Sequence, residues 1–104
     1  MRMVLAEFSM FPTDKGESVS AYVSQILDVI DKSGIVYQLT PMGTILEGSW
    51  DEVFSVISAC FKVLEPQCNR ISTSVKVDYR KGNATRMRSK IEKIERLLDR
   101  NIVH

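Results

Sequence analysis

The stretch "VLAEFSMFP", residues 4–12, decides the fold of this chain, because the side chains of a strand alternate between two faces. One set is apolar and comprises Val4, Ala6, Phe8 and Met10. The other set comprises Met3, Leu5, Glu7, Ser9 and Phe11. A carboxylate in the middle of a buried strand is unfavourable unless its face of the sheet is open or supplies polar partners. The role of Glu7 therefore depends on what covers the second face.

A first helix is predicted over residues 18–33, where apolar side chains recur at helical spacing from Val19 to Ile30. Ser18 is its predicted N-cap and Gly34 its predicted end.

A second helix is predicted from the sequence "SWDE" at residues 49–52. Ser49 caps it, and Glu52 lies three residues later, as in a capping box. Its predicted apolar face comprises Val53, Phe54, Ile57, Cys60, Phe61 and Leu64. Cys60 is thus interpreted as a core residue, since a free cysteine packs as a small apolar side chain. Pro66 is predicted to end the helix.

Between the helices, residues 35–40 and 44–47 predict two short strands joined by a turn at residues 41–43. After the second helix, "RISTSVKVDYR" at residues 70–80 alternates again. A last helix is predicted over residues 86–100.

The resulting order, β-α-β-β-α-β, predicts an α+β, ferredoxin-like fold with an antiparallel sheet, to which a C-terminal helix is added. The 104 residues are interpreted as one domain, 1–104.

Two helices on one side of such a sheet leave the other side uncovered by the unit itself. Alternation assigns to this second face the residues Leu5, Glu7, Ser9, Phe11, Gln38, Thr40, Thr44, Lys76 and Asp78. Three explanations remain open for it. The face is solvated, with Glu7 and Lys76 as a weak exposed pair; or it is a subunit interface, which Leu5 and Phe11 favour; or it holds a small polar ligand.

Charge, cysteine and histidine content, and hydropathy limit the kinds of partner and site that the chain is predicted to have. The net charge is +1, although residues 80–104 hold eight Lys or Arg and three acidic residues. No metal site is predicted, because the two cysteines do not form a CxxC pair and the single histidine is at position 104. Two cysteines and the absence of a signal-peptide pattern favour the cytoplasm. No apolar run reaches the roughly 20 residues of a membrane span, so no membrane partner is predicted.

Five short motifs, in this order and spacing, resemble the thiamine-binding protein family, related to the YkoF-type thiamine and hydroxymethylpyrimidine binders. They are "AEFSMFP" at 6–12, "SxSxYV" at 18–23, "MGTxLEG" at 42–48, "WxEV" at 50–53 and "TxxKxDxR" at 73–80. The resemblance implies a ferredoxin-like fold, homo-oligomers in which dimers pair into tetramers, and a thiamine-related ligand near subunit contacts. It does not imply catalysis, so no enzymatic activity is predicted, and no cofactor is predicted either.

The resemblance and the chemistry of an aminopyrimidine together select the candidate ligand-binding residues Glu7, Ser9, Gln38, Thr44 and Glu47. A carboxylate, Glu47 or Glu7, is suited to accept a hydrogen bond from the exocyclic amine, and Ser9, Thr44 or Gln38 to serve a ring nitrogen. Alternation places Glu47 and Thr44 out of phase with one another.

Three rival functions stand beside this one. RNA-recognition modules share the strand order, but they stack bases on aromatic residues of the central strands, where this chain has polar ones. An enzyme normally needs a base beside its nucleophile, and the one histidine is terminal. A regulatory domain that binds another small molecule, such as an amino acid, and a pure assembly protein remain as alternatives.

Overall fold

The computed structural model describes residues 3–81 and the single positions 93, 94 and 97. Its strands are β1 (Met3–Pro12), β2 (Val36–Thr40), β3 (Gly43–Ser49) and β4 (Ile71–Tyr79). Its helices are α1 (Ser20–Ser33), α2 (Trp50–Leu64) and a short 3₁₀ helix, Glu65–Gln67. The strands form one antiparallel sheet in the order β2-β3-β1-β4. The predicted α+β, ferredoxin-like arrangement of these elements is confirmed.

The core lies between the two long helices and one face of the sheet, which we call the helix face. The predicted apolar set of β1 lies on it, and Ala6 and Phe8 are almost fully buried. Ile26 and Ile30 of α1 pack onto the same core, as do Val53, Val56, Ile57, Cys60 and Leu64 of α2. The prediction for Cys60 is confirmed. Phe61, predicted on the apolar face of α2, is instead 41% exposed, and Val56 is buried.

The ends of α1 are set by two different backbone conformations. Gly34 ends the helix with a φ of 79°, as predicted, because this left-handed conformation carries no Cβ penalty in glycine. The predicted N-cap was wrong. The N-cap position is Val19, whose backbone is already helical and whose side chain caps nothing, so Ser18 lies one residue too early.

The predicted capping box at the start of α2 is confirmed. The Glu52 N–H donates to Ser49 Oγ at 3.1 Å, and the Ser49 N–H donates to Glu52 Oε1 at 3.2 Å. These contacts with Ser49 lower the pKa of the Glu52 carboxyl. The α-helix ends at Leu64, and Pro66 lies in the 3₁₀ turn that follows.

The predicted C-terminal helix over residues 86–100 lies outside the described residues, apart from positions 93, 94 and 97. It stays a prediction, as does the interpretation of residues 1–104 as one domain.

Candidate functional site

The face of the sheet that points away from α1 and α2 is called the open face here. Cross-strand partners share a face, so the register defines its members. They are Leu5, Glu7, Ser9, Phe11, Val36, Gln38, Thr40, Ile45, Glu47, Ser72, Ser74, Lys76 and Asp78. Carboxylates, amides and hydroxyls therefore alternate on this surface with the apolar side chains of Leu5, Val36 and Ile45.

The question posed by Glu7 is answered by its position on this face. Glu7 is exposed and lies between Ile45 on β3 and Lys76 on β4. Within residues 3–81, Glu7 and Lys76 form no ion pair, although they are direct cross-strand partners. As far as the described residues go, the exposed carboxylate of Glu7 is thus accommodated by solvent.

Three further predicted site residues share this face. Gln38 lies across from Ile45, so Gln38 and Glu7 flank the same isoleucine. Glu47 lies between Val36 and Leu5 and is only 6% exposed. Ser9 lies opposite Ser74. The structure therefore gathers Glu7, Ser9, Gln38 and Glu47 on one surface.

Thr44 does not belong to this surface, and its assignment to the polar face was wrong. Thr44 pairs with Phe8 of β1 and Leu39 of β2, so its side chain lies on the helix face. It is 5% exposed. The prediction that Thr44 and Glu47 point to opposite faces of the sheet is confirmed, and Thr44 is the one on the helix face. A polar residue at the start of a short strand does not by itself fix the phase of that strand, because phase follows from pairing.

A cavity of about 470 Å³ adjoins Thr44, and we call it the hairpin cavity. This volume is within the range of roughly 300–1,000 Å³ that is typical of small-molecule sites. Helix α1 forms one wall, with Val23, Ile26 and Leu27. The strands and the β2–β3 turn supply the rest, namely Phe8, Ser9, Met10, Phe11, Leu39, Thr40, Pro41, Met42, Gly43 and Thr44.

The Thr44 hydroxyl is the distinctive polar group of this cavity. Among the described residues it forms no hydrogen bond, although the side chain is 95% buried on the helix face. A buried hydroxyl without a partner costs on the order of 1–3 kcal/mol. Such a group in a cavity wall is available to a bound molecule.

The neighbouring Thr40 has the opposite arrangement. Its Oγ1 donates to the Gly43 carbonyl at 2.9 Å and accepts from the Met42 N–H at 3.2 Å. The hydroxyl of Thr40 thus holds the turn that forms the cavity rim and has its hydrogen bonds within the hairpin.

Gly43 allows β3 to approach β1 closely at the rim. Its φ is 150°, and a Cβ placed there would lie 2.7 Å from the carbonyl oxygen of Phe8. This contact explains in physical terms why glycine precedes threonine in the "MGT" motif. The β1–β3 ladder ends at the pair Phe8–Thr44, next to this glycine.

Side-chain hydrogen bonds join helix α1 to two neighbouring elements. The Tyr37 hydroxyl donates to Asp31 Oδ1 at 2.9 Å, and this hydrogen bond raises the pKa of Tyr37. Gln67 Nε2, in the 3₁₀ helix, donates to Gln25 Oε1 of α1 at 2.8 Å. The helix that carries Val23, Ile26 and Leu27 is therefore linked to β2 and to the 3₁₀ helix.

The described residues offer a buried cysteine thiol and no cluster of metal ligands. The Cys60 thiol is buried, donates weakly to the Ile26 carbonyl at 3.9 Å, and has its pKa raised by burial to about 11. Within residues 3–81 no three His, Cys, Asp or Glu side chains are grouped as metal ligands would be. No helix in the described part of the chain is long and apolar enough to cross a membrane.

Sequence reasoning missed most of the cavity. Leu39 and Met42 were interpreted only as parts of a hairpin, and Val23 and Leu27 only as core. Apolar residues at helical spacing carry no signal that separates a filled core from the wall of a cavity. Of the five predicted site residues, Ser9 and Thr44 line the cavity.

The family model for thiamine-binding proteins matches residues 6–95, a span that includes both long helices, the lining of the hairpin cavity and all of the sheet except the first three residues of β1. The chain belongs to the thiamine-binding protein family. The resemblance drawn from the five motifs is thus confirmed.

Sequence and structure comparisons find relatives that this chain matches over most of its own length and most of theirs. A UPF0045 protein of Methanocaldococcus jannaschii is 34% identical over 97 residues, which are 93% of this chain and 97% of the relative. A crystal structure of a hypothetical protein from that organism has a TM-score of 0.82 at 34% identity, covering 90% of this chain and 97% of its own.

A more distant solved structure supports the fold alone. It is a protein of Thermotoga maritima proposed to act in thiamine biosynthesis or salvage, with a TM-score of 0.78 at 20% identity, covering 88% of this chain and 98% of its own.

Proposed function

We propose that this member of the thiamine-binding protein family is a non-catalytic, cytoplasmic protein that binds thiamine or its hydroxymethylpyrimidine moiety in the hairpin cavity. The single observation that carries the proposal is the buried hydroxyl of Thr44, which has no hydrogen bond to any described residue, in the wall of a cavity of about 470 Å³. Family membership supports the thiamine-related ligand and the binding role.

The cavity chemistry suits an aromatic heterocycle. Its apolar walls, which include Phe8, Met10 and Leu27, offer dispersion contacts to a flat ring. Thr44 offers one donor and two acceptor lone pairs, so it is able to serve either a ring nitrogen or an exocyclic amine. A ligand that pairs with Thr44 removes the cost of the unpaired hydroxyl, and this gain adds to its affinity.

We also propose that a second copy of the chain covers the open face. Leu5, Val36 and Ile45 supply apolar area there, and Glu7 and Lys76 place opposite charges side by side. A two-fold interface matches a surface with its own copy, so neighbouring opposite charges allow mutual pairing.

The two proposals meet at the cavity rim. Ser9 and Phe11 belong to the open face by their position on β1 and also line the hairpin cavity. A subunit on the open face would therefore reach the rim of the ligand site. In this arrangement Glu7 and Gln38 act in assembly, and Thr44 and Ser9 act on the ligand.

The test is isothermal titration of ligand-free protein with thiamine and with hydroxymethylpyrimidine. Leu39→Trp fills the cavity entrance from edge strand β2, where Leu39 is 58% exposed. Tyr79→Trp is the matched control, because Tyr79 is 51% exposed on the same sheet face of the other edge strand, β4.

We expect saturable binding by the parent and by Tyr79→Trp, and a loss of roughly tenfold or more in Leu39→Trp. Parent-like binding by Leu39→Trp would place the ligand outside the cavity. No binding of either compound by the folded parent would overturn the thiamine assignment.

A further inference from the structure

Strand β4 has one edge that no other described strand pairs with. The sheet order is β2-β3-β1-β4, so β4 is an edge strand, and it is nine residues long, whereas the other edge strand, β2, has five. Its register with β1 runs without a bulge from Ile71 to Tyr79, and it contains no proline. Bulges and prolines are the usual protection of a long edge, because an open ladder is ready to pair with a further strand. The free edge of β4 is therefore suited to receive one.

One hydrogen bond fixes which backbone groups face this edge. The Thr13 N–H donates to the Arg70 carbonyl at 2.9 Å, which continues the β1–β4 ladder one pair beyond Pro12 and Ile71. In an antiparallel ladder, hydrogen-bonded pairs alternate with pairs that are not hydrogen-bonded. Even-numbered residues of β4 therefore direct their N–H and C=O groups to β1, and odd-numbered residues direct theirs to the free edge.

We infer that a second copy of this chain pairs with β4 along its free edge, antiparallel and about a two-fold axis at Ser74, so that two four-stranded sheets join edge to edge. In this register Ser74 faces Ser74 of the second copy, and odd-numbered residues face odd-numbered ones, so the outward backbone groups pair with each other. The inference goes beyond the proposed function and does not rest on it, because β4 lines no part of the hairpin cavity.

Side-chain pairs favour the axis at Ser74. This axis sets Arg70 opposite Asp78 on the open face, and the two-fold repeats the pair. It also sets Ile71 opposite Val77 on the helix face. Opposite charges and apolar side chains that face each other across a ladder stabilise it. Asp78 also interacts within its own chain, and a carboxylate accepts several hydrogen bonds, so it is able to bind the guanidinium as well.

Other axes give poorer pairs. An axis at Lys76 or at Asp78 would set like charges directly opposite each other, which is unfavourable. An axis at Val75 would leave Lys76 and Asp78 opposite serine hydroxyls. An axis at Val77 would pair Lys76 with Asp78, but it would extend the ladder past Tyr79, where β4 ends.

Cross-linking tests the register. Ser74→Cys, in a Cys68→Ser background, brings two thiols to the axis, where the Cα atoms of a pair that is not hydrogen-bonded lie about 4.5 Å apart and suit a disulfide. Ser72→Cys is the matched control, because Ser72 is also exposed on the open face of β4, but the register displaces it from its counterpart by roughly 13 Å along the strand. We expect copper phenanthroline to yield a covalent dimer of Ser74→Cys and none of Ser72→Cys.

A charge exchange tests the pairing without a cross-link. Asp78→Arg sets two guanidinium groups opposite each other and should halve the molar mass measured by size exclusion with light scattering. The double variant Arg70→Asp/Asp78→Arg should restore the parent mass. It still lacks the Asp78 carboxylate, so a restored mass comes from the exchanged pair. Circular dichroism checks that each variant is folded.

The outcomes separate the edge from the open face. A Ser74→Cys link that persists in Ile45→Arg would support pairing at the edge. Loss of the link in folded Ile45→Arg would assign it to the open face and overturn the inference. A parent with the mass of one chain, equal cross-linking of Ser72→Cys, or a double variant that keeps the lower mass would also overturn it. Failure of thiamine binding would leave it standing.

Discussion

Thr44 and Phe8 are direct cross-strand partners on the helix face of the sheet, and both side chains are at least 95% buried. The pairing places a hydroxyl in an otherwise apolar interior and next to a cavity. Glu47, three residues along the same strand, points to the opposite face. One strand thus contributes to the candidate ligand site on one side and to the candidate subunit interface on the other.

The first prediction concerns Thr44 itself. Thr44→Val should weaken ligand binding about tenfold, because one hydrogen bond to the ligand is lost. Its free energy of unfolding should stay equal or rise by up to roughly 1 kcal/mol, since an unpaired buried hydroxyl is removed. Thr44→Ser retains the hydroxyl and should bind like the parent. Titration calorimetry and thermal unfolding measure both quantities.

Thr40→Val is the control for that prediction, because Thr40 Oγ1 makes two hydrogen bonds within the turn. Loss of this hydroxyl should lower the free energy of unfolding by about 1–2 kcal/mol. If Thr44→Val destabilises the chain as much as Thr40→Val and leaves affinity unchanged, Thr44 is a structural residue only.

The second prediction concerns the close approach at Gly43. Gly43→Ala should destabilise the fold more than Gly34→Ala, because both residues have positive φ but only Gly43 would bring its Cβ against the Phe8 carbonyl. We expect about 1 kcal/mol for Gly34→Ala and roughly 2–3 kcal/mol for Gly43→Ala, measured by urea unfolding. Equal losses would show that the rim backbone relaxes without cost.

The third prediction concerns assembly through the open face. Ile45 lies between Glu7 and Gln38 at the middle of this face. Ile45→Arg places a large cation there. In the separate chain this cation is exposed and lies beside the carboxylate of Glu7, so the fold tolerates it. In an assembly through the open face the same cation would be buried. We expect a lower molar mass by size exclusion with light scattering, and circular dichroism that remains folded.

Tyr79→Arg is the control for assembly, since Tyr79 is 51% exposed on the helix face of β4. Its mass should equal that of the parent. An unchanged mass for folded Ile45→Arg would leave the open face as a solvated surface and remove Glu7 and Gln38 from the interface.

The fourth prediction concerns the two cysteines. Burial raises the pKa of Cys60 to about 11, so at about pH 8 this thiol is protonated and unreactive. Cys68 is partly exposed. In the folded protein a disulfide reagent should modify one thiol, and Cys68→Ser should abolish that reaction. In guanidinium chloride the Cys68→Ser variant should react at Cys60. Rapid modification of the folded variant would show that α2 opens readily.

Much of the fold was predictable because its signals are local. The alternation of β1, the capping box of Ser49 and Glu52, and the glycine at position 34 each act over a few residues, and the structure contains all three. The predicted N-cap of α1 was wrong because Ser18 belongs to a residue type that favours this position, whereas the N-cap of the folded chain is Val19, whose backbone is already helical. The family motifs likewise gave the correct family.

The sequence by itself determined the order of the elements from β1 to β4, the two faces of β1 and the family. Only the tertiary structure decided the face on which Thr44 lies and the presence of the hairpin cavity. The physical reason is that alternation defines two faces without saying which one is buried, whereas pairing of Thr44 with Phe8 fixes the answer. A cavity, in turn, is space between α1, β1 and the turn at Gly43, and it depends on how elements distant in sequence come together.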